Sequence, residues 1–112
     1  MALGQKTCEG MVLTDSFYWD QSEAARTWSR RYMAKMTTPP GLQHAAVYTG
    51  VTHWLKAAKE VGGLEREAVA RRIRGGAFRD TIMGEATFGP DGQLRSRHAL
   101  FTVQDQKIVV RR

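Results

Sequence analysis

Three histidines, His44, His53 and His98, and one cysteine, Cys8, are the side chains of this 112-residue chain best suited to hold a metal or attack a substrate. His44 and His53 lie nine apart, so on one helix of roughly 3.6 residues per turn they point about 180° apart and cannot share an ion. Exposed or hydrogen-bonded imidazoles explain them more simply. Cys8 stands in a polar N-terminal stretch with no histidine near it in sequence, the pattern of a spectator thiol. A lone cysteine also excludes an internal disulfide and any cysteine-pair zinc site. Thr14 and Ser16 lack the Gly-x-Ser-x-Gly turn that exposes a catalytic serine. Gly62-Gly63 and Gly75-Gly76 follow helical patterns rather than precede them, which is the wrong end of the helix dipole for a phosphate. No Walker or dinucleotide fingerprint is present. The expectation is no catalytic residue, no metal, no cofactor and no enzyme.

Phe17-Tyr18-Trp19 is a different kind of signal. A short apolar run, Gly10 to Thr14, reads as a buried strand, and these rings sit in the loop that leaves it. In an open α/β sheet, ligands settle beyond the carboxyl ends of strands. Aromatic walls with a few fixed polar groups are what a small-molecule pocket uses. The alternative is that the three rings plug the sheet against the next helix.

The elements that would position this loop follow from punctuation and period. Asp20 with Glu23 three residues on resembles an acidic capping box. From Gln21 to about Met36 the residues Ala25, Trp28, Tyr32 and Met36 recur at helical spacing as one inward stripe. Pro39-Pro40-Gly41 ends that helix. Leu42 to about Val61 is the strongest helix, with Val47, Val51, Trp54, Leu55 and Ala58 as a broad apolar face and Gly62-Gly63 as its stop. Glu65 to Arg74 is a third helix, with Leu64, Ala68, Val69 and Ile73 inward and Gly75-Gly76 closing it. The period then changes to two. Ala86-Thr87-Phe88, the turn Gly89-Pro90-Asp91-Gly92, Leu94, His98 to Val103, and Lys107 to Val110 after a turn at Asp105-Gln106 predict two to four strands. A single N-terminal strand parted from its partners by three helices suggests a piece of something larger.

Composition bounds what such a chain can do. Val, Ile, Leu and Phe make up about 20% of the residues, near the limit for an ordered domain, so any core is modest. No apolar run approaches the length of a membrane helix, and no signal-peptide pattern opens the chain. Seventeen Lys and Arg against eleven Asp and Glu give a net charge of +6. These charges are scattered, as on a solvated surface. A small basic nucleic-acid-binding module, with Arg66 to Arg79 as its contact helix, is the alternative function they raise.

The segment Gly10 to Asp20 resembles the region near the C-terminal end of type I periplasmic substrate-binding proteins, the branched-chain amino acid (Leu/Ile/Val) family of ABC importers. The likeness continues through Ala45 to Lys59, with Tyr48 and Ala57-Ala58 placed as in the family's helix. It runs on through Phe88-Gly89-Pro90-Asp91-Gly92-Gln93-Leu94 to Ala99–Gln104. The resemblance implies an α/β fold: a fragment of a two-lobed periplasmic-binding-protein architecture, one incomplete unit over 1–112. Residues about 1–18 and 97–112 would belong to the C-terminal lobe and about 20–96 to the N-terminal lobe, with the first strand beside Ala99–Val103.

The same resemblance implies a periplasmic, non-enzymatic solute-binding component, with a small-molecule solute and an ABC permease as partners and no nucleic acid. Carried over by position, Phe17, Tyr18, Trp19 and Gln43 would meet the ligand. Gln43 falls where classical amino-acid binders place an aromatic, so an aromatic or other organic acid is implied alongside branched-chain amino acids. His53 is expected to play no part in that binding. An unpaired apolar sheet edge would make the isolated chain a homo-oligomer.

Overall fold

The computed structural model describes residues 4, 6–74, 76–80, 82–105 and 107–111, and of residues 77–79 and 111 the backbone alone. The chain runs β1 (Val12–Asp15), α1 (Glu23–Met33), α2 (Leu42–Val61), α3 (Arg66–Ile73), β2 (Ala77–Asp80), β3 (Gly84–Phe88), β4 (Leu94–Ser96), β5 (Ala99–Gln104) and β6 (Lys107–Arg111). Two antiparallel three-stranded sheets result, in the orders β1-β5-β6 and β2-β3-β4. The first strand does join the last ones: Leu13 stands opposite Phe101, which stands opposite Val110. Among the described residues five strands follow the helices rather than two to four. The missed one, β2, contains Arg79 and Asp80 in four residues and shows no apolar alternation to read.

Helix α1 starts later than its acidic box suggested. Ser22 is the N-cap, its Oγ accepting the Ala25 N–H at 3.1 Å, because a hydroxyl one residue before the helix reaches that donor directly. Asp20 instead pairs with Arg26. Ala25 and Ser29 are buried and Trp28 and Tyr32 half-buried, whereas Met36 lies past the helix end and is exposed. Helix α2 keeps its predicted limits, and Gly62 closes it in the left-handed conformation at φ 81°, its N–H reaching the Ala58 and Lys59 carbonyls. Helix α3 ends at Ile73 with Arg74 as its C-cap. Of the predicted stops and turns, Gly75 and Gln106 lie outside the described residues. A contact helix from Arg66 to Arg79 does not form, since residues 77–80 are strand.

The face α2 turns inward is the main correction. Val47, Val51 and Leu55 are 67%, 55% and 56% exposed, and Trp54 and Tyr48 are also exposed. The buried positions are small: Ala45, Thr49, Ala57 and Ala58, and of the predicted face Ala58 alone is among them. Ala45, Thr49, His53 and Ala57 recur every four residues, one ridge along which neighbouring backbone can approach closely. Ala45 meets Phe17, Ala25, Ile82 and Met83 in one cluster, and Ala57 and Ala58 meet Val69 of α3 in a second, with Ile73 at its margin. Leu64, expected inward, is exposed.

Strand β1 is likewise an open edge rather than a buried strand, with Val12 49% exposed. Leu13, Phe101 and Val110 line one face of its sheet, while Val12, Leu100 and Val109 look out from the other. The radius of gyration is 16.6 Å, above the roughly 13 Å of a compact chain this long. An open shape with apolar residues on α2 and on a sheet face and edge is expected to self-associate through residues 10–14 or 97–110. Light scattering on the 112 residues at micromolar concentration should give a dimer or larger. A clean monomer with a cooperative melt would refute that.

Candidate functional site

The loop from Ser16 to Gln21 lies between β1 and α1 and has no strand ladder of its own. Its backbone is held by side chains. Asp15 Oδ1 accepts the Ser16 N–H at 2.7 Å, and Gln21 Oε1 accepts the Tyr18 N–H at 2.9 Å. The Gln21 N–H returns to the Tyr18 carbonyl at 3.0 Å, and its Nε2 donates to the Ile82 carbonyl at 3.3 Å. Buried Ser29 donates its Oγ hydrogen to the Trp19 carbonyl at 3.4 Å.

Three neighbouring rings therefore take three environments. Phe17 is 2% exposed, inside the cluster of Ala25, Ala45, Ile82 and Met83, with Trp28 edge-on at 5.7 Å between centroids. Tyr18 is half-buried between Trp19 at 5.9 Å and Phe101 of β5 at 5.5 Å. Burial pushes its phenol pKa up and the Asp20 carboxylate adds to that, so at neutral pH Tyr18 is a neutral hydroxyl able to donate and accept. Trp19 packs against the Phe17 cluster from its margin. Gln43 is exposed in the first turn of α2, next to Leu42, which packs against that same cluster. Tyr18 and Trp19 are thus brought together, Phe17 faces the interior, and Gln43 stands on the outer surface of α2.

Two open grooves lie on this part of the surface, one of them beside the loop. One, of about 550 Å³, is lined by Tyr18, Asp20, Gln21, Arg26 and residues 107–110 of β6. The other, of about 450 Å³, lies between α1 and α2 and is lined by Thr27, Trp28, Arg31, Tyr48 and Ile82. Trp28 joins Tyr48 at 5.3 Å and Tyr32 at 5.9 Å, and Tyr32 meets His44 at 5.2 Å. Trp28 and Tyr32 already share the α1 stripe read from the sequence; Tyr48, on α2, joins them only where α2 packs against α1.

The histidines separate as their spacing demanded. His44 Nδ1 accepts the Gly41 N–H at 3.0 Å and so helps cap α2. His98 is exposed. His53 Nε2 lies 3.0 Å from Asp80 Oδ2, both side chains nearly buried at 11% and 7% exposure. Asp80 Oδ1 also accepts the N–H groups of Ile82 and Met83, each at 2.8 Å. Burial alone would push the Asp80 carboxyl up, but those two N–H groups and His53 outweigh it and hold the group below its ordinary pKa. Among the described residues no group of three or more His, Cys, Asp or Glu could hold a metal ion. Nor is any described helix long and apolar enough to cross a membrane.

A family model described as periplasmic binding protein matches residues 1–107. Among solved structures, a periplasmic binding protein from Burkholderia mallei is 32% identical over 97% of this chain and 31% of its own, with a TM-score of 0.86. A branched chain amino acid ABC transporter periplasmic ligand-binding protein from Burkholderia xenovorans LB400 is 25% identical over 99% of this chain and 32% of its own, at 0.91. A solute binding protein of an ABC transporter from Rhodopseudomonas palustris BisB5, solved with 3,4-dihydroxy benzoic acid, shares the fold: TM-score 0.78, 16% identity, 90% of this chain and 29% of its own. No curated protein matches the sequence. The chain spans about a third of the length of these solved relatives. Matched almost end to end by the family model and laid over part of the two-lobed α/β fold of such proteins, the chain belongs to the type I periplasmic binding proteins.

Proposed function

We propose that this chain supplies one wall of the ligand cleft of a periplasmic solute-binding protein that serves an ABC importer and catalyses no reaction. The overlap of nearly the whole chain with about a third of the Burkholderia xenovorans ligand-binding protein carries this reading. In it, residues about 1–18 and 97–112 belong to one lobe and about 20–96 to the other. The separate β1-β5-β6 sheet, with the helices and the second sheet between its strands in sequence, supports that division. Tyr18, Trp19 and Gln43 face the solute and Phe17 backs them. The solute is a branched-chain amino acid or an aromatic or other organic acid. The paired rings of Tyr18 and Trp19 and the exposed amide of Gln43 favour an aromatic acid, which offers a ring to stack and a polar rim to bond.

Calorimetry on two proteins tests this. The 112 residues alone are expected to bind neither leucine, isoleucine or valine nor hydroxybenzoates measurably, since open grooves do not enclose a ligand as pockets do. Placed in the Burkholderia xenovorans protein in exchange for its matching third, the same residues should bind one of these solutes. There Gln43→Ala should weaken affinity by about 1–3 kcal/mol by leaving a polar group unpaired. Tight binding by the short chain, or indifference to Gln43→Ala in the chimera, would misplace the site.

The basic charge gives a separate expectation. Arg26, Arg72 and Arg95 each pair with a carboxylate, leaving no concentrated cationic face at those positions. Binding to duplex DNA should be weak and vanish as salt approaches physiological strength. Salt-resistant, sequence-selective binding in a titrated filter assay would favour a nucleic-acid module instead.

A further inference from the structure

His53 on α2 and Asp80 at the end of β2 are 27 residues apart, yet meet at 3.0 Å in a nearly dry contact. From that contact a continuous chain of bonds leads to the aromatic loop. Asp80 Oδ2 faces His53, and its Oδ1 clamps the Ile82 and Met83 N–H groups, which fixes the turn that enters β3. The Ile82 carbonyl of that turn accepts Gln21 Nε2, and Gln21 Oε1 accepts the Tyr18 N–H. The side chains of Ile82 and Met83 meanwhile pack against Phe17 in the core. Both the backbone of Tyr18 and the seat of Phe17 therefore depend on where this turn sits.

We propose that His53 and Asp80 are positioning residues: by locking the turn after β2 they fix the Ile82 carbonyl, and through Gln21 the orientation of Tyr18 and Trp19. A loop with no ladder of its own needs such outside support if its rings are to stand in one place. A buried polar contact is a poor source of stability compared with apolar packing, and its best-attested use is to specify one arrangement. His53, expected to take no part in binding, thereby has an indirect one. The value of this positioning for a solute rests on Tyr18 and Trp19 being the cleft wall; the positioning itself does not.

Hydrogen exchange on the ligand-free 112-residue chain reads the link directly. His53→Leu and Asp80→Ala should speed exchange at the Tyr18 amide about tenfold relative to the Phe101 amide, which reports wider opening. His53→Gln, whose amide can donate to Asp80 Oδ2, should restore protection. Gln21→Glu keeps an acceptor for Tyr18 but cannot donate to the Ile82 carbonyl, and in that background His53→Leu should no longer move Tyr18. If His53→Leu does not fold, Gln21→Glu alone reads the coupling from the other end, because coupling is reciprocal and the Ile82 and Met83 amides should then exchange faster. Tyr18 exchange that rises only in step with Phe101, or Ile82 and Met83 amides indifferent to Gln21→Glu, overturns the proposal. A chimera that binds no solute while Tyr18 exchange responds as expected would overturn the cleft reading and leave the positioning standing.

Discussion

Asp80→Ala is expected to lower the unfolding free energy by about 3–5 kcal/mol, the range for removing one partner of a buried pair. Three groups lose their acceptor at once: the Ile82 and Met83 N–H groups, each bonded at 2.8 Å, and His53 at 3.0 Å. The turn they hold carries Ile82 and Met83 into the main core cluster, so the loss reaches beyond the turn. Asp80→Asn retains an oxygen for the two N–H groups and should lose only about 1–2 kcal/mol. Asp91→Ala, at an exposed pair with Arg95 that solvent screens, should cost far less. Denaturant melts of the three variants decide this, and an Asp80→Ala loss no larger than that of Asp91→Ala would refute it.

The same carboxylate sets a pH dependence. The folded-state pKa of Asp80 lies below its unfolded value of about 3.9. Its contribution is therefore fully present above that unfolded value and is lost as pH falls through the lower folded one, where both states are protonated. Wild type should lose stability across this acid window, and Asp80→Ala should show a shallower slope there. Parallel slopes would mean the carboxylate is not held as the geometry indicates.

Phe17→Ala is the second large effect, about 3–5 kcal/mol, because a 2% exposed ring leaves a cavity among Ala25, Ala45, Ile82 and Met83. Ala25 and Ala45 are too short to reach into the gap, so relaxation there offsets little of the loss. Trp28, edge-on to Phe17, loses its ring partner as well. Tyr18→Phe, one residue on, removes only a hydroxyl from a half-buried ring and should shift the melt by less than about 1 kcal/mol. The midpoint in urea should fall with an unchanged slope. A ring serving chiefly as a ligand surface would behave the other way, leaving stability intact on truncation. A Phe17→Ala loss under about 1 kcal/mol would show that the core does not need it.

These expectations separate what was legible in the residues from what was not. Helix α2 could be bounded at both ends because Pro39-Pro40-Gly41 and Gly62-Gly63 act locally, through fixed φ, a missing N–H and access to the left-handed region. The hairpin turn at Gly89 to Gly92, the aromatic loop after β1 and the family resemblance were likewise written in short stretches. The pairing of β1 with β5 was reached only through that resemblance, since no local pattern names a partner more than eighty residues away.

The inward face of α2 was not legible. An apolar stripe of Val47, Val51, Trp54 and Leu55 announces a surface that wants cover, but Ala45, Thr49, His53 and Ala57 are where neighbouring backbone can come close. Which stripe is used depends on the partner's shape, and hydrophobicity does not encode that. Asp20 carried the capping-box pattern, but the N-cap is Ser22, whose oxygen reaches the Ala25 N–H, while Arg26 pairs with Asp20. Nothing in the sequence joins His53 to Asp80, 27 residues away. Tertiary structure alone made them a pair, because a buried carboxylate must find its donors wherever the fold places them.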